Sequence, residues 1–197
     1  MQKPNNFDNV SASGDFTPIT LGGHHLIIKK VEEAQTRTGK DMIIVAFDMA
    51  PGDSQPGYIS KEFANDIRPD KKWPRAGRQY IVVLDNHGNT SRSFKTFISS
   101  VEKSNSGFVT QWGDNFGVQF KGKRIGGVFG EVENEYNGKV TMRHELRWFC
   151  ADDEADNANI PNPKYLPNSN RTVSAPAASE IDGFLSIPDG MEEEIPF

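Results

Sequence analysis

The sequence predicts a mainly β domain with one helix, followed by an irregular tail. Turn-forming residues are abundant, with 18 glycines and 12 prolines. The apolar runs are short, the longest being residues 42–47, and only residues 94–101 carry apolar side chains at helical spacing. The length of 197 residues fits one domain and leaves too little chain for a second sizeable core.

The first two predicted strands form a hairpin. Residues 19–31 are the first β segment, and residues 42–49 form a run rich in Ile and Val that predicts a buried strand. Residues 35–40 between them predict the hairpin loop, because Gly39 can adopt a positive φ there.

A split third strand is predicted to lead into the helix. Residues 58–63 alternate in polarity as a strand does, and residues 79–84 form another short strand. The helix follows, with its apolar side chains between positions 94 and 101 on one stripe. Ser91 or Ser93 can cap its N-terminus.

Four aromatic residues follow the helix at intervals of four positions. Glycines interrupt this series, so it predicts a packed short helix or loop rather than a long helix. We expect these aromatic side chains to belong to the core. They are Phe108, Trp112, Phe116 and Phe120.

The last two predicted strands, residues 124–135 and 139–150, form a hairpin. A two-residue loop would place Val132 opposite Arg143, mixing apolar and charged side chains on one face. A three-residue loop with a glycine bulge would instead pair Val132 with Met142, giving one apolar and one charge-matched face. We therefore expect the three-residue loop.

Composition divides the chain into four parts. The segment after the last strand is rich in Pro, Asn and Ser and has no lasting periodicity, so it buries too little surface to offset the entropy of ordering. The parts are a flexible N-terminal arm (1–18), a β domain (19–150), a disordered linker (151–190) and an acidic tip (191–197).

The order of predicted elements is strand, strand, strand, helix, strand, strand. A five-stranded barrel with a helix between its third and fourth strands is the OB-fold arrangement, which commonly binds oligonucleotides across strands two and three. A small β-sandwich with an inserted helix is the alternative architecture.

Charge is distributed unevenly along the chain. Residues 1–150 hold 20 Lys and Arg against 17 Asp and Glu, whereas residues 151–197 hold 2 against 10. This asymmetry is typical of nucleic-acid-binding proteins with an acidic interaction tail, and also of an ordinary solvated surface followed by a disordered tail.

Residues 58–80 combine basic and aromatic side chains. Basic groups neutralise phosphates, and aromatic faces stack unpaired bases at about 1–3 kcal/mol each, so a single strand uses both. The loop at residues 35–40 would extend such a groove. The alternative is an ordinary basic loop whose aromatics lie in the core. The predicted DNA-binding residues are Arg37, Lys40, Tyr58, Lys61, Phe63, Arg68, Lys71, Lys72, Trp73, Arg75, Arg78 and Tyr80.

The acidic tip combines charge with an apolar end. A peptide of this kind docks into a basic-rimmed apolar pocket, where the ring fills the pocket, a basic side chain takes the carboxylate and the acids steer approach. The predicted partner-binding residues are Glu192, Glu193, Glu194, Ile195, Pro196 and Phe197.

The tip resembles that of bacterial single-stranded DNA-binding proteins, which ends in Asp-Asp-Asp-Ile-Pro-Phe, with Glu here in place of Asp. That family's tip recruits replication, recombination and repair proteins and follows a disordered linker after an OB-fold. The core is similar instead to OB-like proteins of Gram-positive phages and mobile elements, through residues 21–25, 38–42 and 47–48. The bacterial family's tetramer is not implied, because the core that forms it is not matched; a homo-oligomer stays open.

Features of secreted, membrane and metal-binding proteins are missing from the sequence. A lone cysteine, Cys150, excludes an internal disulfide and predicts a half-buried thiol. His24 and His25 would point to opposite faces of a strand and so cannot share a metal. No apolar run would span a bilayer, and the first residues lack a signal core. We expect a cytoplasmic protein of a bacterial host cell with no cofactor, metal or membrane partner.

Together these features predict a non-enzymatic protein that binds and protects single-stranded DNA without strong sequence preference. Its tip would recruit replication and recombination proteins. Two alternatives remain, a recombination mediator or annealing protein and a β-sandwich that binds proteins or carbohydrates. A nuclease built from Asp48, Glu62 and Asp66 is the least favoured.

Overall fold

Five antiparallel strands form one sheet in the order β3-β2-β1-β4-β5. The computed structural model describes residues 2–3 and 17–167. Its strands are β1 (Gly22–Gln35), β2 (Asp41–Met49), β3 (Arg78–Val82), β4 (Arg124–Tyr136) and β5 (Lys139–Cys150). The mainly β fold is confirmed. Within the described residues the outer strands β3 and β5 are not paired with each other, so the sheet is open.

Among the described residues, two α-helices and three 3-10 helices accompany the sheet. They are α1 (Tyr58–Asn65), η1 (Arg75–Gly77), α2 (Arg92–Ser104), η2 (Phe116–Phe120) and η3 (Asp152–Asn157). The helix α2 lies between β3 and β4, as the sequence predicts. The Ser91 hydroxyl accepts a hydrogen bond from the Phe94 amide at 3.1 Å, which caps α2, and the stripe that includes Phe97 and Val101 is buried. No helix in the described part of the chain is long and apolar enough to cross a membrane.

The predicted strand at residues 58–63 is wrong, because this segment is helix α1. The buried carboxylate of Asp48, at the end of β2, accepts hydrogen bonds from the amides of Ile59 (3.0 Å) and Ser60 (3.3 Å) and from the Ser60 hydroxyl. A carboxylate at a helix N-terminus satisfies free amides and favours the helix dipole. The helix is thus fixed by a residue that is distant in the sequence.

The three-residue loop predicted between β4 and β5 is also wrong. Tyr136 pairs with Lys139, so the loop is Asn137-Gly138, whose φ values of 50° and 74° suit a two-residue hairpin turn. A bulge shifts the register where Val128 pairs with Trp148 and Phe129 with Leu146. The extra residue in β5 reverses which sheet face the following side chains point to. Leu146 and Phe149, three positions apart, therefore both reach the core.

Residues 151–167, assigned from composition to a disordered linker, pack onto the sheet. The helix η3 lies against β1 and β4 where two glycines leave room: a Cβ at Gly23 would lie 1.8 Å from the Ala155 carbonyl oxygen, and one at Gly126 would lie 2.5 Å from that of Ala151. Further on, the Lys164 backbone pairs with β4 through the Glu133 amide at 2.7 Å. The domain therefore reaches at least residue 167. The rest of the predicted linker, the tip, and residues 1 and 4–16 of the arm lie outside the described residues.

Candidate nucleic-acid interface

The first three strands present a second face, opposite the main core, that we call the outer face. In β2 and β3, Ile44 pairs with Tyr80 and Ala46 with Arg78, and paired residues of antiparallel strands point to the same side. The outer face therefore collects three residues from each strand. They are Lys30, Glu32 and Ala34 of β1, Met42, Ile44 and Ala46 of β2, and Arg78, Tyr80 and Val82 of β3; the small Ala46 also contacts the main core.

The middle of the outer face is apolar. Met42, Ile44 and Val82 are each exposed by 6% or less and form a cluster separate from the main core. Tyr80 is partly buried against this cluster. The strand β2 is therefore buried on both sides, and the Tyr80 ring packs on the apolar cluster of its outer side.

Two cations, Lys30 and Arg78, lie on the outer face at one end of this apolar centre. The Lys30 ammonium lies 2.5 Å from a Glu32 oxygen, and its side chain stays about one-third exposed. The Lys29 ammonium lies 3.6 Å from the Asp48 carboxylate, which also caps α1. The buried Nε of Arg78 has no hydrogen-bond partner among the described residues.

The loop between β1 and β2 lies at one end of the outer face. It is closed by hydrogen bonds between Thr36 and Lys40, and Arg37 at its tip is exposed. The Lys40 ammonium donates to the Asn86 amide oxygen at 2.6 Å. Of the predicted DNA-binding residues, the structure places Arg78 and Tyr80 on the outer face and Arg37 and Lys40 in the loop at its end.

The aromatic residues between 58 and 73 are placed differently. The Trp73 side chain is 7% exposed, and its indole N–H donates to the carbonyl oxygens of Phe47 (3.1 Å) and Gly77 (3.2 Å). Phe63 packs on it with ring centroids 5.3 Å apart. Burial raises the pKa of the half-buried Tyr58 to about 12. Trp73 therefore belongs to the core and has no open face for a base.

Several of the predicted cations around this core already have partners. The Arg68 guanidinium bonds to the Asp66 carboxylate at 2.7 Å, and this hydrogen bonding holds the pKa of Asp66 down to about 2. The Arg75 guanidinium lies 3.6 Å from Glu145 of β5. The Lys71 ammonium lies 4.7 Å from the centre of the Phe63 ring. Lys61 is exposed and Lys72 half-buried.

The histidine pair points to opposite sides of β1, as the sequence predicts. His24 is buried with its Nδ1 at 3.0 Å from Asp53, whereas His25 lies between Asp152 (2.9 Å) and Asp156 (3.1 Å). Within the described residues no three His, Cys, Asp or Glu side chains converge as metal ligands do. Cys150 is half-buried as predicted, and burial raises the pKa of its thiol to about 11, so it stays protonated.

Two features of the structure were not predicted from the sequence. The residues Lys30 and Glu32 were not proposed as site residues, although their alternation with Ala34 in β1 marks a common side. Trp112, assigned to the core with its three neighbours, is 68% exposed. The four-residue spacing of the aromatics does not reveal that Trp112 is exposed, because the spacing alone does not show which side of the segment faces the core.

No protein-family model matches this chain, and no curated protein is detectably similar to it. Function is therefore inferred from geometry and chemistry.

Proposed function

We propose that this domain binds single-stranded DNA across the outer face, without strong sequence preference. One observation carries the proposal: the pairing of β2 with β3 sets Tyr80 and Arg78 side by side on an apolar sheet face. A ring on an apolar base stacks an unpaired base, and the neighbouring guanidinium takes the phosphate. The loop that holds Arg37 and Lys40 extends the cationic surface along the strand.

The arrangement of strands supports an OB-fold-like barrel. The sheet order β3-β2-β1-β4-β5 is that of a five-stranded OB barrel laid open, and α2 lies at the expected place. The Arg75–Glu145 pair brings the chain just before β3 close to β5. Barrels of this type are often only partly closed, and they bind oligonucleotides on strands two and three. The outer face lies on those strands.

The composition of the face favours a single strand over a duplex. The Tyr80 ring over its buried apolar cluster suits exposed base faces, whereas duplex DNA presents phosphates and groove edges and hides its base faces. The cations of the outer face are few and lie at one end of this cluster. We further propose that the acidic segment 191–197 recruits replication, recombination or repair proteins, as its composition and resemblance suggest.

The direct test is a titration of a fluorescent oligo-dT with the full chain at about 50 and 200 mM salt, the range over which phosphate contacts weaken. A duplex of the same length serves as control. We expect tight binding to the single strand that weakens with salt, and much weaker binding to the duplex. Absence of oligo-dT binding at low salt, by the full chain and by a variant lacking residues 191–197, would contradict the proposal.

A further inference from the structure

Trp112 is an exposed indole that the structure holds flat. It is 68% exposed, and its ring stacks on Phe116 with centroids 5.4 Å apart and planes 18° apart. Phe116 is itself buried and packs edge-on against the fully buried Phe120. Because one face rests on Phe116 and two-thirds of the side chain is exposed, the other face is open to solvent.

The segment that holds Trp112 is fixed by side-chain to backbone hydrogen bonds. The Gln111 amide donates to the Gln119 side-chain oxygen at 2.7 Å, and the Gln119 side-chain NH2 donates back to the Gln111 carbonyl at 2.7 Å. The same NH2 donates to the Phe116 carbonyl at 2.8 Å. A ring supported in this way loses little freedom when a ligand stacks on it.

The segment that contains Trp112 has a positive net charge along the sequence, since residues 92–124 contain six Lys and Arg against two Asp and Glu. Phe94 lies 6.2 Å from Trp112, and the exposed residues Arg92 and Lys95 flank Phe94 on the first turn of α2. A flat aromatic surface with cations nearby is the combination that binds a base and its phosphate.

Trp112 also lies near the proposed DNA path. The helix η2 packs on β1 where Gly117 has no side chain, since a Cβ there would lie 2.2 Å from the Val31 carbonyl oxygen. The neighbours of Val31 in β1 are Lys30 and Glu32 of the outer face. Pairing of β1 with β4 ends at Ile27, so β4 does not cover this stretch of β1.

We propose that Trp112 stacks an unpaired base of a strand that leaves the outer face around the edge of β1. This inference rests on the proposed function and adds a contact outside strands two and three. The shape favours a base over an acidic peptide such as the tip. A peptide ending in Ile-Pro-Phe needs a concave pocket, whereas Trp112 and the nearby Val109 and Val118 are all largely exposed.

Tryptophan fluorescence tests the inference in the full chain. The chain has three tryptophans: Trp73 is 7% exposed, Trp112 is 68% exposed and Trp148 is half-buried. We expect oligo-dT to quench the emission of the wild-type chain, and Trp112→Phe to lose most of this quenching while binding nearly as tightly. We expect Trp112→Ala to raise Kd about 5- to 150-fold. Val118→Ala, equally exposed in the same segment, should leave Kd unchanged.

Three outcomes would overturn the inference. If the wild-type chain binds oligo-dT and Trp112→Ala keeps both Kd and quenching, the base-stacking role is wrong and the proposed function stands. If Trp112→Ala keeps its Kd for oligo-dT and binds a peptide of residues 191–197 more weakly, the acidic peptide is the occupant. If the wild-type chain does not bind oligo-dT at all, the proposed function fails and the inference fails with it.

Discussion

Two aromatic regions, residues 58–75 and 108–120, each contain a tryptophan whose exposure differs from what the sequence predicts. The first was expected to stack bases, yet Trp73 is buried and its N–H is satisfied by a carbonyl 26 positions earlier in the chain. The second was expected to fill the core, which Phe116 and Phe120 do, yet Trp112 is largely exposed. Composition identifies residues that are able to stack, and tertiary hydrogen bonds decide which of them are free to do so.

The largest expected effect is a difference in stability between the two tryptophans. Trp73→Ala removes a buried ring and leaves two carbonyl groups without its N–H, so we expect a loss of about 3–5 kcal/mol in the free energy of unfolding. Trp112→Ala removes an exposed ring, so we expect a loss below about 1 kcal/mol. Urea unfolding followed by circular dichroism measures both. Equal losses would remove the contrast between the regions.

A second substitution tests the part of the outer face that lies on β3. Tyr80→Ala removes the ring from the outer face, and we expect Kd for oligo-dT to rise about 5- to 150-fold. Tyr80→Phe keeps the ring and should bind within about threefold of the wild type, since stacking needs the ring and not the hydroxyl. A fluorescence anisotropy titration gives both constants. Unchanged binding in Tyr80→Ala would exclude the outer face as the stacking surface.

The support of Trp112 can be weakened without touching the ring. Gly117→Ala introduces a Cβ that would meet the Val31 carbonyl, so we expect a loss of about 1–3 kcal/mol in stability from overpacking. Oligo-dT quenching should fall as the segment shifts. Gly52→Ala is the matched control, because its Cβ would meet no atom within 4 Å. Full quenching in a destabilised Gly117→Ala would show that Trp112 does not depend on this support.

Substitutions of Arg37 and Arg68 compare an exposed cation in the β1–β2 loop with a cation that is paired with a neighbouring carboxylate. Removing one phosphate contact to a single strand lowers the slope of log K against log salt by about 0.7. We expect Arg37→Ala to show this change and Arg68→Ala a smaller one, since Asp66 already neutralises that guanidinium. Titrations at several salt concentrations measure the slopes. A larger change in this slope for Arg68→Ala than for Arg37→Ala would indicate that DNA binds at residues 58–75 instead.

The smallest effect concerns how η3 is held. The hydrogen bond to Asp152 raises the pKa of His25 above its ordinary 6.5, with Asp156 adding to the rise against the opposing effect of burial. Protonated His25 therefore stabilises the folded chain fully below about pH 6.5, and this contribution is lost as pH rises through the raised pKa. The free energy of unfolding should include this contribution at pH 5.5 and lose it at pH 8.5 in the wild type, whereas His25→Gln should lack it at both pH values. Equal pH dependence in both would refute it.

Local signals predicted the elements that local contacts hold. Ser91 caps α2 from one position before it, and the apolar run of β2 is buried on both sides as expected. The segment 58–65 was misassigned because its cap, Asp48, comes from another element. Composition also placed the domain boundary too early, because η3 rests on glycines of β1 and β4 that nothing in its own sequence reveals. The outer face depends on the register of β2 with β3, which the sequence alone did not supply.

Photocrosslinking with mass spectrometry tests the central claim most directly, that a single strand crosses the outer face rather than the basic loop. An oligo-dT substituted with 5-iodo-deoxyuridine would be irradiated with the full chain, and the crosslinked residues identified. We predict crosslinks at Tyr80 of the outer face and at Trp112, competed away by unlabelled oligo-dT and not by duplex. Crosslinks confined to residues 58–75, or none above the level of a duplex control, would contradict the account.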